Sequence, residues 1–190
     1  MTSRDLVLVS LFAAIIVALG MLPAIPLAFI PVPITAQTLG VMLAGLILGR
    51  KRGAGVILVI YVLVAIGLPI LAGGRGGLGA FAGPTAGFLI GWLPGAYICG
   101  ALAEHAAEND NPLRQTFGFF IAAVAGGVVV VYFLGIAWLA YGVGMGISPA
   151  VAGSMGFVPG DLIKAVLAAL AARAVMLGYP LLPQRLSSDA

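Results

Sequence analysis

Four stretches of this chain, residues 6–49, 53–74, 76–103 and 115–160, contain no charged side chain. A soluble domain carries roughly 25% charged residues, whereas this chain has 8%, with 62% hydrophobic residues and a mean hydropathy of +1.19. No soluble fold of 190 residues hides that much apolar surface. In lipid every backbone polar group must be satisfied internally. The chain therefore reads as an all-α polytopic membrane protein, a single integral membrane domain over residues 1–190 with its outer surface against lipid.

Spanning helices need about 17–25 apolar residues. Six are predicted, at about 6–22, 36–49, 53–71, 84–103, 116–141 and 160–178. Pro94 is expected to kink the fourth. The uncharged run Gln115–Gly160 reads as one long helix and a glycine-rich loop, because two spans would break the charge sorting described next. Met1–Gly20 has the length of a signal peptide. Asp5 beside Arg4 weakens its basic region, and Met21-Leu22-Pro23 is a poor cleavage site, so a retained first helix is expected.

Six spans put both termini on one side. Arg4, Arg50, Lys51, Arg52, Arg114 and Arg185 then fall on the terminus side, with Arg173 near the last helix end, and only Arg75 lies in a loop opposite. Positive charge marks the cytoplasmic side, so cytoplasmic termini in the cytoplasmic (inner) membrane are expected. A net charge of +3, so scattered, gives no nucleic-acid surface. The chain has one cysteine, Cys99, and so no internal disulfide.

The three opposite loops, Pro23–Pro33, Ala72–Gly83 and Gly142–Val158, are apolar and rich in Gly and Pro. Solvated loops carry polar groups, so these read as extracytoplasmic lids over a ligand pocket. Asp161 and Lys164 open the sixth helix at that same face. An ionisable group at membrane depth costs about 2.5–3.5 kcal/mol on insertion scales. Two of them, three residues apart on one helix face, point to ligand binding. The plainer reading is an internal ion pair.

Weaker candidates surround them. Gly73 and Gly74 let backbone approach a ligand, or they belong to a flexible loop. Arg75 either meets a ligand carboxylate or faces water. Thr35 offers a hydroxyl or caps the second helix. Gln37 reads a polar ligand edge, and Thr38 adds a second hydroxyl. Thr85 follows Gly83-Pro84. Ser10, Ala14 and Ala18, with Ala13 beside them, form a small-residue stripe on the first helix. That stripe serves a docking helix or packing inside the bundle. Trp92, Tyr97, Trp138, Tyr141 and Tyr179 are interface anchors or pocket walls. No metal-ligand spacing, Ser/His/Asp set or Walker motif is present, so no cofactor, metal or ATP hydrolysis is expected, and His105 sits on the side away from Asp161.

At Val32-Pro33-Ile34-Thr35-Ala36-Gln37-Thr38, Gly67-Leu68-Pro69 with the glycines after it, Gly83-Pro84-Thr85 and Pro159-Gly160-Asp161-Leu162-Ile163-Lys164 the chain resembles the BioY family. These are the substrate-binding S-components of energy-coupling factor (ECF) transporters for biotin. The pieces run in order along nearly the whole chain. Where the family often has a tyrosine, this chain has Phe88, which has no hydroxyl to donate. The resemblance implies high-affinity biotin capture by a non-enzymatic transporter component, with Asp161 and Lys164 on the ligand. It implies that Ala14 and Ala18 dock a transmembrane coupling subunit, with ATP hydrolysed by separate ABC ATPases. Capture of another vitamin and a non-transport scaffold are the rival readings. The sequence does not decide whether the chain acts alone, as a homo-oligomer or only with such a module.

Overall fold

A computed structural model describes residues 2–182, so Arg185 lies outside the described residues. Helix α1 (Ser3–Gly20) leads into a short antiparallel hairpin, β1 (Ile25–Leu27) and β2 (Ile30–Ile34). Helix α2 spans Gln37–Ala65, α3 spans Ala86–Ala107 and α4 spans Pro112–Gly142. A short helix α5 (Ile147–Met155) precedes α6 (Val158–Gly178). By length and composition alone, α1, α3 and α4 are apolar and long enough to cross a membrane.

Helix α2 is two helical arms. Gly49 breaks it with φ 82° and ψ 177°, a left-handed conformation that a side chain resists. The arms fold back on each other there, because a Cβ on Gly53 would sit 3.0 Å from the Ala44 carbonyl oxygen. The expected linker Arg50–Arg52 is thus the opening of the second arm. Arg50 pairs with Glu104 at 3.2 Å and Arg52 with Asp5 at 2.7 Å. These pairs gather the start of α1, the elbow of α2 and the end of α3 at one end of the bundle. At that end Arg173 also bonds Gln115, and the Arg4 guanidinium lies over the Tyr179 ring.

Packing follows membrane rules. On α6 four of the six buried positions are alanines, Ala165, Ala168, Ala169 and Ala172, beside Asp161 and Met176, while Ile163, Val166, Leu167 and Leu170 are exposed. Small residues let helix backbones approach, and large apolar ones face lipid. Helix α3 runs on through Pro94, which cannot donate to the carbonyl of Ile90. The Tyr61 hydroxyl takes over that role, 3.0 Å from Ile90 O and 2.5 Å from Leu89 O.

Several expectations change. The Pro23–Pro33 loop holds the hairpin, whose prolines a two-stranded ribbon tolerates because each strand has a free edge. The Gly142–Val158 loop contains α5, which at nine residues is too short to span. The run 115–160 therefore holds one long helix and the short α5, and α4 carries π-helical stretches at Val124–Val130 and Trp138–Gly142. The third span ends at Ala65 rather than 71, and His105 belongs to the last turn of α3 rather than to a loop.

Candidate functional site

At the end of the bundle away from the two ion pairs lies a cavity. It is bounded by β2, the 71–75 turn, the starts of α2, α3 and α6, and Val131 and Tyr132 of α4. The cavity volume is about 70 Å³. Val32, Ile34, Leu71, Leu89 and Trp92 make most of the wall apolar. Phe88, Tyr132 and Phe157 add rings that meet edge to face, with centroids 5.9–6.3 Å apart. Such geometry suits aromatic quadrupoles.

Asp161 and Lys164 meet in this wall, in the first turns of α6, with side chains 5% and 15% exposed. They do pair, at 2.7 Å from Lys164 Nζ to Asp161 Oδ1. Lys164 Nζ also donates to the Thr35 carbonyl at 2.6 Å and to Thr38 Oγ1 at 3.0 Å. An ammonium has three donors, so each is used. Asp161 Oδ1 also accepts from Thr38 Oγ1 at 3.2 Å, and Oδ2 accepts from the Tyr132 hydroxyl at 2.6 Å. A carboxylate has about four lone-pair sites. Among the described residues, one on Oδ2 is left open. The ion-pair reading and the pocket reading of these two residues therefore hold together.

The weaker candidates separate. Gln37 lines the cavity, but its polar end ties elements together. Its amide donates to Ile16 O at 3.3 Å and Ile70 O at 3.1 Å, and its oxygen accepts from Ala72 N at 2.9 Å. Thr35 contributes its carbonyl and is not a cap: α2 starts at Gln37, with Ala36 in the cap position and no side-chain cap bond. Arg75 stands exposed at the mouth, its Nη1 donating to Thr85 Oγ1 at 3.0 Å and its Nε to Ala72 O at 3.2 Å. Arg75 and Thr85 thus line the cavity. Gly73 and Gly74 do not. With φ of 77° and 69° they build the tight turn between Leu71 and Arg75, which bond each other's backbones.

Trp138 and Tyr141 are not in the cavity wall. Trp138 Nε1 holds Gly83 O at 2.9 Å, and Tyr141 is 76% exposed. Ser10, Ala14 and Ala18 all face outward, whereas Ala13 is buried. The stripe is therefore free of the protein's own bundle. Among the described residues no His/Cys/Asp/Glu group could hold a metal ion.

Trp92 is a pocket wall, one of its two expected roles, and Phe88 lines the cavity with its ring, whereas Tyr132 and Phe157 were missed by sequence reasoning. One signal for Tyr132 was available: a tyrosine inside a charge-free helix needs a partner for its hydroxyl, and Asp161 is the carboxylate nearest that depth.

Comparison with known proteins agrees with this architecture. The family model described as BioY family matches residues 1–180. The biotin transporter BioY of Rhizobium etli is 61% identical over 186 residues, 97% of this chain and 100% of that protein. The Rhodobacter capsulatus biotin transporter BioY is 51% identical over 90% of this chain and 93% of its own. A crystal structure of the S-component for biotin from an ECF-type ABC transporter superposes with a TM-score of 0.87 at 35% identity, covering 93% of this chain and 95% of that one. With the model matched over nearly its full length, the chain belongs to the BioY family.

Proposed function

We propose that this protein captures biotin and supports its uptake as the substrate-binding component of an ECF-type transporter. The carrying observation is the buried Asp161–Lys164 network in the wall of an apolar, aromatic cavity. Biotin has a ureido ring with two N–H donors and a carbonyl, an apolar bicycle and a carboxylate tail. Apolar pockets with a few convergent polar groups take such ligands.

The donor count favours one pose. Lys164 has all three donors engaged, while among the described residues Asp161 keeps an open acceptor site. A ureido N–H therefore goes to Asp161. Lys164 reaches the ureido carbonyl on releasing the Thr35 carbonyl. The carboxylate tail lies toward Arg75 at the mouth, whose guanidinium has five N–H donors. The enclosed 70 Å³ is well below the roughly 300–1,000 Å³ of ligand pockets. Entry therefore moves part of the wall, in which β2 and the 71–75 turn are the non-helical pieces.

The outward stripe Ser10, Ala14, Ala18 suits close approach of a coupling-subunit helix. Energy then comes from that subunit and its ATPases. Basic residues at the elbow of α2 favour a cytoplasmic-membrane orientation with the termini inside. The test is uptake of radiolabelled biotin by cells that lack other biotin uptake, with this chain and a coupling module co-expressed. Saturable uptake is expected. Uptake no greater than in cells with the module alone overturns the proposal.

A further inference from the structure

Tyr132 is 7% exposed and sits on α4 between its two π-helical stretches. Its ring completes the aromatic wall with Phe88 and Phe157, a task that phenylalanine does equally well. The hydroxyl reaches across to α6 and donates to Asp161 Oδ2 at 2.6 Å. Lys164 and Thr38 hold the other oxygen. The carboxylate is thus pinned at both ends, by three different helices: α2, α4 and its own α6. Without the phenol, Oδ2 has no partner among the described residues, and the carboxylate is free to turn about the end held by Lys164.

Building on the biotin reading above, we infer that Tyr132 is a positioning residue for ligand recognition: its hydroxyl fixes Asp161 so that one open lone pair on Oδ2 selects a ligand edge presenting a single N–H donor. Discrimination then resides in the direction of one acceptor as well as in pocket shape. A second donor from the ligand meets a carboxylate whose remaining sites are filled.

The experiment is a binding matrix on purified protein. Dissociation constants are measured for biotin and for its two mono-N-methyl ureido analogues, with wild type, Tyr132→Phe and Phe157→Leu. A hydrogen bond to a charged group is worth about 1.5–3 kcal/mol, or roughly 10–150-fold. Wild type should reject one N-methyl isomer by at least about 10-fold on that scale. Tyr132→Phe, which keeps the ring, should weaken biotin by about 10-fold and bring biotin and that isomer within about 3-fold of each other. Phe157→Leu should weaken all three ligands together and leave their ratios unchanged. Wild-type binding of biotin with full discrimination retained in Tyr132→Phe overturns this inference alone. Absence of biotin binding by wild type overturns the functional reading on which it rests.

Discussion

Removing Lys164 should destabilise the empty protein strongly, and removing Asp161 with it should restore most of the loss. Lys164→Met leaves a carboxylate whose side chain is 5% exposed with only hydroxyl donors, those of Tyr132 and Thr38. Breaking one side of a buried ion pair costs about 3–5 kcal/mol, whereas replacing both partners is often neutral or stabilising. A chain of this size shifts its melting temperature by about 2–4 °C per kcal/mol. Lys164→Met should therefore melt about 6–20 °C below wild type. Asp161→Asn/Lys164→Met should melt within about 4 °C of wild type while failing to bind biotin. By contrast Arg50→Gln breaks a pair with side chains 47% and 24% exposed, a class of contact worth about 0–1 kcal/mol. Its shift should stay under about 4 °C. A thiol-reactive dye reads all of these, since Cys99 is fully buried in the fold and is the one cysteine of the chain. The reasoning fails if Lys164→Met melts with wild type, or if the double variant melts as low as the single one.

Other predictions address the mouth, the outer face and the packing. Arg75→Gln should weaken biotin by roughly 10-fold or more while leaving biotin amide, which lacks the carboxylate, almost unchanged; competition binding with both ligands separates the two. Ala14→Trp and Ala18→Trp should keep biotin binding, because both positions face outward, yet abolish co-purification with the coupling subunit. Gly87→Ala places a Cβ 2.5 Å from the Leu134 carbonyl oxygen and 2.2 Å from Trp138 Cβ, so it should cost about 1–3 kcal/mol by overpacking, seen as a lower melting temperature.

The spans were legible because burying charge in lipid is costly enough to leave its mark on sequence directly. The four charge-free stretches and the basic elbow at Arg50–Arg52 place α1 to α4 and α6 within about four residues, except the second arm of α2, which ends at Ala65 rather than 71. Asp161 and Lys164 stood out by the same rule. What sequence hid were features that depend on a partner far along the chain. Tyr132 meets Asp161 across 29 positions, and Gln37 meets Ala72 across 35. A tyrosine in a charge-free helix signals that its hydroxyl needs a partner, but nothing local names that partner, nor separates an amide that reads a ligand from one that clamps a turn. The hairpin escaped because Ile30-Pro31-Val32-Pro33-Ile34 reads as broken chain, although its burial alternates at Ile30, Pro31 and Val32 as in a strand. The outward facing of Ser10, Ala14 and Ala18 needed the neighbours of α1 to be known, since spacing alone fits inner and outer faces equally.

Calorimetric titration of biotin into the purified protein, alongside Asp161→Asn, tests the central claim most directly. Saturable binding of one biotin per chain is expected for wild type, with affinity at least about 10-fold weaker in the variant, which keeps the shape of Asp161 but loses its charge. Wild-type protein that is folded, melts cooperatively and takes up no biotin contradicts the account, as does an Asp161→Asn variant that binds biotin as tightly as wild type.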